Sequence, residues 1–492
     1  MNILLITSDQ QRWDCLGRLN PAIQTPNLDR LADRGILYER AYTVNPVCTP
    51  SRCSILTSEY PSRHGCFHVG TSLPEEYGPT VAHRFSEAGY ATNLIGKAHF
   101  QACKDPASIE SAPKVHELDH FDNWSGPYFG FDNAELVIGH TSEPHASGMH
   151  YGAWLRKQGV DSTDYFDIHE YDHYGPWSLP EKYHGSAWVA NRSIAAIDRA
   201  QAKKKPFFLW SSFQDPHNPY VTPEPWASMY DPSTLPEPIE VPKLDSLPEF
   251  YRSLAQGNFY GDDPQLQHKA WGDVKVRPEL SPSDILSLRA VYYGMVSLMD
   301  HHIGRILDRL EADGTIEDTL IVFTSDHGDY LGDHGLWGKG LPAYESAQRV
   351  PFIVAHPKVA GPGKKSQALQ SLVDIGATFL DTAGLAPLDS SQAVSQTQAW
   401  IDPLTEIRDH CRVEFRPAQG PYIQRTYINS EYKLVSYEAR DYGELYNLKT
   451  DPSQTRNLYN DPEYMDLRKA LEQKYAPQPT EKDLVRERKA IA

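Results

Sequence analysis

Cysteine is scarce in this chain, and positive charge is outnumbered. Six cysteines are spread over 492 residues, at Cys15, Cys48, Cys53, Cys66, Cys103 and Cys411. None forms a CxxC pair, which argues against a zinc ribbon, a thioredoxin-like redox pair or a disulfide scaffold. So sparse a set reads as free thiols in a reducing compartment. Lys and Arg total 47 against 65 Asp and Glu, a formal net charge of −18. That balance excludes nucleic acid and anionic membrane as partners. It also requires any anionic ligand to be drawn in by a local cluster of cations. Long apolar runs are missing as well: no stretch approaches the ~18 residues of a membrane span. The run Ile3 to Ile6 is too short for the apolar core of a secretory leader. The expectation is a soluble, cytoplasmic protein, in which the sequons at Asn123 and Asn191 carry no meaning. Internal repeats and low-complexity tracts are absent.

What the chain has instead is short apolar runs that end in carboxylates. Asn2 to Ser8 runs into Asp9-Gln10, and Thr319 to Thr324 runs into Ser325-Asp326-His327-Gly328. Parallel strands buried on both faces read as short continuous apolar runs. In open α/β sheets, ligands sit beyond the carboxyl ends of such strands. Two strands of this kind can bring Asp9 and Asp326 together around one cation. Taken singly, an Asp after a strand is as often a helix cap; the paired arrangement favours a ligand set gathered from separate strand ends.

Up to about residue 390, strand-like runs alternate with helical ones such as Ser186 to Ala202 and Pro282 to Ala312, where Ile285, Leu288 and Val291 recur at helical spacing. The alternation predicts an α/β sandwich with a largely parallel central sheet over 1–390. Two stretches interrupt it: 104–182, rich in His, Tyr, Trp, Asp and Gly, and 216–282, rich in proline. Both are expected to form loops at the substrate-facing rim. Residues 391–492 are expected to form a smaller α+β domain with an antiparallel sheet, from alternating strands at Cys411–Phe415 and Glu431–Ser436.

The pentapeptide Cys48-Thr49-Pro50-Ser51-Arg52 resembles the signal by which a cysteine is oxidised to formylglycine in sulfatases, members of the alkaline-phosphatase-like superfamily. Other segments resemble motifs of the same family in the same order. They are Gly96-Lys97-Ala98-His99, Asp215-Pro216-His217-Asn218-Pro219-Tyr220, Gly338-Lys339-Gly340, Arg349-Val350-Pro351, and the closing Glu444 to Leu448 and Asp451 to Leu458. One departure is Ser58, where the family's longer motif usually has glycine.

The resemblance implies a sulfuric ester hydrolase acting on a small aryl, alkyl or sugar sulfate. Cys48, converted by a formylglycine-generating enzyme, would carry a geminal diol as nucleophile. Arg52 and Lys97 would hold that diol, His99 would take the proton of its second hydroxyl, and His217 or Lys339 would protonate the leaving oxygen. One divalent ion would be bound by Asp9, Gln10, an oxygen of modified Cys48, Asp326 and His327. Gln10 and His327 stand where many sulfatases have Asp and Asn. The change removes one charge from a calcium-type oxygen set and adds a nitrogen, which moves the preference from calcium toward manganese. The same pairing occurs in choline sulfatases and phosphonate monoester hydrolases. A phosphonate monoester or phosphodiester hydrolase is therefore an alternative, and an inactive anion-binding relative a remote one. Lys97 and His99 favour the sulfatase, because the phosphonate hydrolases place tyrosine and threonine there. Phe67-His68-Val69 also lacks the asparagine that those enzymes and the choline sulfatases keep nearby.

Overall fold

The computed structural model of the protein describes all residues except 104, 140–141, 169–172, 243–246, 249–250, 253–273, 417–422, 439, 476–482 and 490–492. Eight of the described strands form one sheet. In chain order they are β1 (Asn2–Ser8), β2 (Ile36–Tyr38), β3 (Ala91–Lys97), β4 (Asn133–Val137), β5 (Phe207–Ser212), β6 (Thr319–Ser325), β7 (Phe352–Ala355) and β8 (Lys364–Ser366). Their spatial order is β8-β2-β7-β6-β1-β5-β3-β4. All neighbours are parallel except those of β7, which runs against both β6 and β2.

β1 lies in the middle, and its Ile3, Leu4, Leu5 and Ile6 are fully buried. Alternation sends them to two different cores. Ile3 and Leu5 join Leu94, Phe208, Trp210, Leu320 and Val322 against helices α2 (Cys48–Thr57), α3 (Val81–Glu87) and α6 (Asp374–Thr382). Leu4 and Ile6 join Ile95, Leu209, Ile321 and Phe323 against α1 (Pro26–Arg34), α4 (Gly185–Ala202) and α5 (Pro282–Glu311). Each fully buried Leu or Ile of this kind contributes about 1.5–3 kcal/mol. The expected sandwich with a largely parallel sheet is what the chain forms. α5 starts where a helix should: Ser281 caps Asp284 N–H, Asp284 reaches back to Ser281 N–H, and Pro282 takes the first turn.

The stretch 104–182 departs from the rim-loop expectation. Its Asn133–Val137 is the edge strand β4, paired in parallel with β3 and burying Ala134 and Leu136. A five-residue strand in a polar surrounding leaves little periodicity to read. Residues 104, 140–141 and 169–172 of this stretch, and 243–246, 249–250 and 253–273 of the second one, lie outside the described residues. Towards the C-terminus, β9 (Cys411–Phe415), β10 (Gln424–Ile428), β11 (Tyr432–Tyr437) and β12 (Gly443–Asn447) form a four-stranded antiparallel sheet. It packs on the segments that flank α2: Val47 and Val69 share a buried cluster with Phe415, Val435 and Tyr446. Glu414 N–H donates to Val44 O (2.8 Å) and its carboxylate accepts from Ser62 N–H (2.8 Å).

Ser58, the departure from the family's glycine, caps α2 with φ +57°. The left-handed conformation explains why glycine suits this place, since a side chain there is strained. All six cysteines are free, and no helix of the described residues is long and apolar enough to cross a membrane.

Gly96 gives a test of the strand geometry. Its φ is +104°, and a Cβ there would lie 1.8 Å from the backbone oxygen of Ser212 on β5. Gly96→Ala should cost about 2–6 kcal/mol, overpacking and backbone strain together. Gly89→Ala has a similar φ of +85° but open space around it, and should cost only the strain, ~1–3 kcal/mol. Urea midpoints of the two variants compare them directly; equal losses would contradict the close β3–β5 approach.

Candidate active site

Register places the two carboxylates. Ser8 is paired with Ser325 across β1 and β6, so Asp9 and Asp326 leave adjacent parallel strands at the same level. Both are fully buried. Two such charges repel, and the next strands and α2 bring cations to them. Arg52 Nε donates to Asp326 Oδ2 (2.8 Å) and its Nη2 to Asp9 Oδ2 (3.3 Å), while Lys97 Nζ, from the end of β3, lies 2.5 Å from Asp9 Oδ2. Burial pushes the Asp9 carboxyl up, but Lys97, Arg52 and Lys339 outweigh it and hold it well below the usual carboxylate range. The remaining guanidinium nitrogen of Arg52 donates to the Lys97 carbonyl (2.9 Å) and Ser212 hydroxyl (2.7 Å).

Cys48 is the first residue of α2 and is fully buried. The helix is docked on the end of β6 by Thr43 and Ser51, whose hydroxyls both donate to the Asp326 carbonyl, at 2.6 and 2.7 Å. Its Sγ lies 3.1 Å from His327 Nε2, 3.6 Å from Asp9 Oδ1 and 3.2 Å from Lys339 Nζ. Burial and Asp9 push the Cys48 thiol up to about 12, so the unmodified side chain is a thiol and not a thiolate. His327 Nδ1 donates to the Gly328 carbonyl (2.9 Å), which leaves the Nε2 lone pair facing the cluster. His217 repeats the arrangement: Nδ1 donates to the Asn218 carbonyl (2.7 Å), and Nε2 accepts from Lys339 Nζ (2.6 Å). Burial, with Lys339 and Lys97 close by, holds the His217 pKa well below its ordinary value, so this imidazole is neutral.

The site residues expected from the sequence therefore come together, and they differ in what they touch. Arg52 is turned to the two carboxylates, and Lys339 is in contact with Cys48. Asp9, Cys48, Asp326 and His327 offer one donor atom each within 4.8 Å of one another, a mixed set that fits a divalent cation. Gln10 adds to it. Its Nε2 is taken by Asn218 Oδ1 (3.2 Å) and Asp329 Oδ2 (2.6 Å), and its Oε1 is buried with no partner among the described residues. Such an orphaned acceptor suits a cation ligand.

His99 follows β3 in the left-handed region, φ +55°. Glu110 fixes it there: this fully buried carboxylate accepts from the N–H of His99 (2.7 Å), Phe100 (3.0 Å) and Gln101 (3.2 Å) and from the Tyr128 hydroxyl (2.7 Å). Burial and the cations of Lys97 and Arg52 push the His99 pKa well below its ordinary value. Sequence reading missed Glu110, because it sits in an aperiodic stretch and resembles no motif.

A second group, Glu181, His301 and His302, also lies within metal-ligand spacing. There Arg305 Nη1 donates to His302 Nδ1 (3.2 Å), so the proton of the neutral ring sits on Nε2 and that nitrogen has no lone pair to offer.

Known proteins resemble the chain over most of its length. Residues 1–385 match the family described as Sulfatase, and residues 332–480 match that described as N-sulphoglucosamine sulphohydrolase, C-terminal. The chain is 32% identical over 491 residues to an arylsulfatase of Clostridium perfringens, covering 96% of this chain and 93% of that one. It is 26% identical to a choline-sulfatase of Rhizobium meliloti, covering 94% and 83%. The crystal structure of a phosphonate monoester hydrolase of Agrobacterium radiobacter superposes with a TM-score of 0.77 at 24% identity, covering 96% and 94%, which supports the fold. With a family match over most of its length, and a strand-end site assembled around Cys48, the chain belongs to the sulfatase family.

Proposed function

We propose that this protein hydrolyses a small sulfate ester, with residue 48 as formylglycine and one divalent cation in the cluster. The observation that carries the reading is Cys48 itself. It is held at the start of a ten-residue helix, among the carboxylates of Asp9 and Asp326, the imidazole of His327 and the cations of Lys97 and Lys339, in a setting that keeps a thiol protonated and unreactive. Oxidised to formylglycine by a maturation enzyme, residue 48 supplies a geminal diol: one hydroxyl to attack sulfur, the other to expel sulfate. Asp9, Gln10, Asp326 and His327 hold a divalent cation, manganese or calcium, that supplies Lewis-acid charge beside this residue. Residues 1–390 are the catalytic part in this reading, with 391–492 a smaller unit bracing the segment around Cys48.

The chain's own groups divide the proton transfers. Lys339 touches both residue 48 and His217, and the lone pair of His217 is turned to it, so the proton available to the leaving oxygen rests on Lys339 and is shared with His217. The N-terminal end of α2 and the cations Lys97 and Lys339 stabilise the sulfuryl charge. His99, kept neutral by burial and its cationic neighbours, is the base for the second hydroxyl. Its strained backbone, clamped by Glu110, holds the ring to one place.

Three outcomes test the reading. Protein made with a formylglycine-generating enzyme should show loss of thiol mass at the Cys48 peptide and cleave aryl or sugar sulfate in preference to a phosphonate monoester, and Cys48→Ala should abolish turnover. Full activity with an unmodified Cys48 would sink the formylglycine reading, and a preference for the phosphonate would reassign the substrate.

Chelation should remove activity, and manganese should restore it at least as well as calcium. An Asp326→Asn enzyme that keeps both its metal and its full rate would refute the ligand set.

With an activated aryl sulfate, His99→Ala should give one burst of alcohol and then near-arrest, with sulfate retained on the protein. Lys339→Ala should instead slow poor leaving groups more than good ones, because a nitrophenolate departs without a proton. Rapid-quench kinetics with intact-mass analysis read both, and a His99→Ala enzyme with neither burst nor adduct would move His99 to the first step.

A further inference from the structure

One buried carboxylate beside the site takes no part in the steps above. Asp329 follows His327 by two residues and is fully buried, and each of its oxygens accepts twice. Oδ2 takes Gln10 Nε2 (2.6 Å) and the Tyr220 hydroxyl (2.7 Å); Oδ1 takes the N–H of Leu331 (2.7 Å) and of Gly338 (3.2 Å). A carboxylate has only acceptors, so it can meet only the NH2 end of the Gln10 amide. Asn218 Oδ1 presents a second acceptor to the same nitrogen at 3.2 Å. Both amide hydrogens are thereby used, and Oε1 is left on the other side, buried and unpartnered among the described residues. The two ends of an amide are almost the same size, so packing alone cannot choose between them. Charge can.

We propose that Asp329 is a positioning residue that sets the orientation of the Gln10 amide, so that its oxygen and not its nitrogen is turned to the divalent cation. The inference rests on the reading of Gln10 as a cation ligand. Reversed, the amide would aim N–H groups at the cation and remove one ligand from the set. The pairing also gives a reason for glutamine at this position: a carboxylate at residue 10 would stand within hydrogen-bond distance of another carboxylate. Gln10 and Asp329 are a matched donor and acceptor, and the match can be exchanged. In Asp329→Asn the side holding Leu331 and Gly338 N–H must remain the oxygen, so the new NH2 group opposes the NH2 of Gln10. Gln10→Glu in the same chain restores one donor facing one acceptor, with the Asn218 amide turned over to offer its NH2 group, and again leaves an oxygen for the cation. Because Oδ1 of the same carboxylate holds Gly338 N–H, Asp329 also links the Gln10 amide to the loop that carries Lys339.

The test is manganese affinity, read by titrating chelator-stripped, matured protein with Mn²⁺ and following free Mn²⁺ by electron paramagnetic resonance. Thermal unfolding of the metal-free forms runs beside it. Asp329→Asn should weaken binding by about 10–100-fold, as removal of a ligand-orienting partner does, and Tyr220→Phe, which removes a donor to Asp329 but not the amide contact, should leave it within about threefold. The Gln10→Glu, Asp329→Asn double variant should regain at least about tenfold over Asp329→Asn, a recovery that loss of folding stability cannot produce. Should Asp329→Asn not fold alone, the same gain is expected of the double variant over Gln10→Glu. Unchanged affinity in Asp329→Asn, or no recovery in the double variant, overturns the proposal while leaving the cation site in place. Unchanged affinity in Gln10→Ala removes Gln10 from the ligand set and takes the inference with it.

Discussion

Two carboxylates at the ends of adjacent buried strands are the constraint on which this active site depends. The pairing of β1 with β6 fixes Asp9 and Asp326 at one level, and neither has water to screen it. A pair of like charges in that setting is tolerated only with opposite charge in contact. Arg52 bridges the two, and Lys97 closes on Asp9 from the end of β3. A divalent cation would add to the same balance, because the carboxylate oxygens turned to His327 and Cys48 are not those paired with Arg52. Position 52 of the signature segment thus has a structural reason for arginine: the fork reaches two carboxylates, a carbonyl and a hydroxyl at once.

The rest of the architecture brings other elements to that point. α2 is anchored on β6 through Thr43 and Ser51, so residue 48 begins a helix directly above the carboxylates. The antiparallel sheet near the C-terminus steadies the same segment from outside: Asn45 Nδ2 donates to the carbonyls of Phe67 (3.1 Å) and Glu414 (2.7 Å). Lys433 of that sheet lies 2.8 Å from Glu345, which also accepts from the Tyr42 hydroxyl at 3.1 Å. Substitutions in this sheet can therefore reach catalysis without touching substrate.

Around residue 48, hydrogen bonds choose protonation states as much as positions. His327 and His217 each give Nδ1–H to a backbone carbonyl of the next residue, which makes Nε2 the acceptor in both rings, and that of His217 accepts from Lys339. Burial and nearby cations hold both His99 and His217 below their ordinary pKa, which keeps both rings neutral. The long aperiodic stretch after His99 supplies Glu110, and through it the backbone conformation of His99.

Much of this was legible in the residues themselves. The apolar runs Asn2 to Ser8 and Thr319 to Thr324 mark buried parallel strands, and the polar residues that follow them mark the site, because local pattern reports burial and strand ends. The order of motifs around Cys48 identified the family. The sequence could not show which cation meets which carboxylate. Arg52 and Lys97 looked alike as partners of residue 48, yet Arg52 turns to the carboxylates while Lys339 reaches the thiol. It could not show that Gln10 is held by Asp329, 319 residues away, or His99 by Glu110. Nor did it reveal that β4 completes the sheet within a stretch expected to be loop. Residue types and their spacing determine what chemistry is available at each strand end. The contacts between strand ends depend on register and on helices packing across both faces, and only the folded chain brings those distant segments to hydrogen-bonding distance.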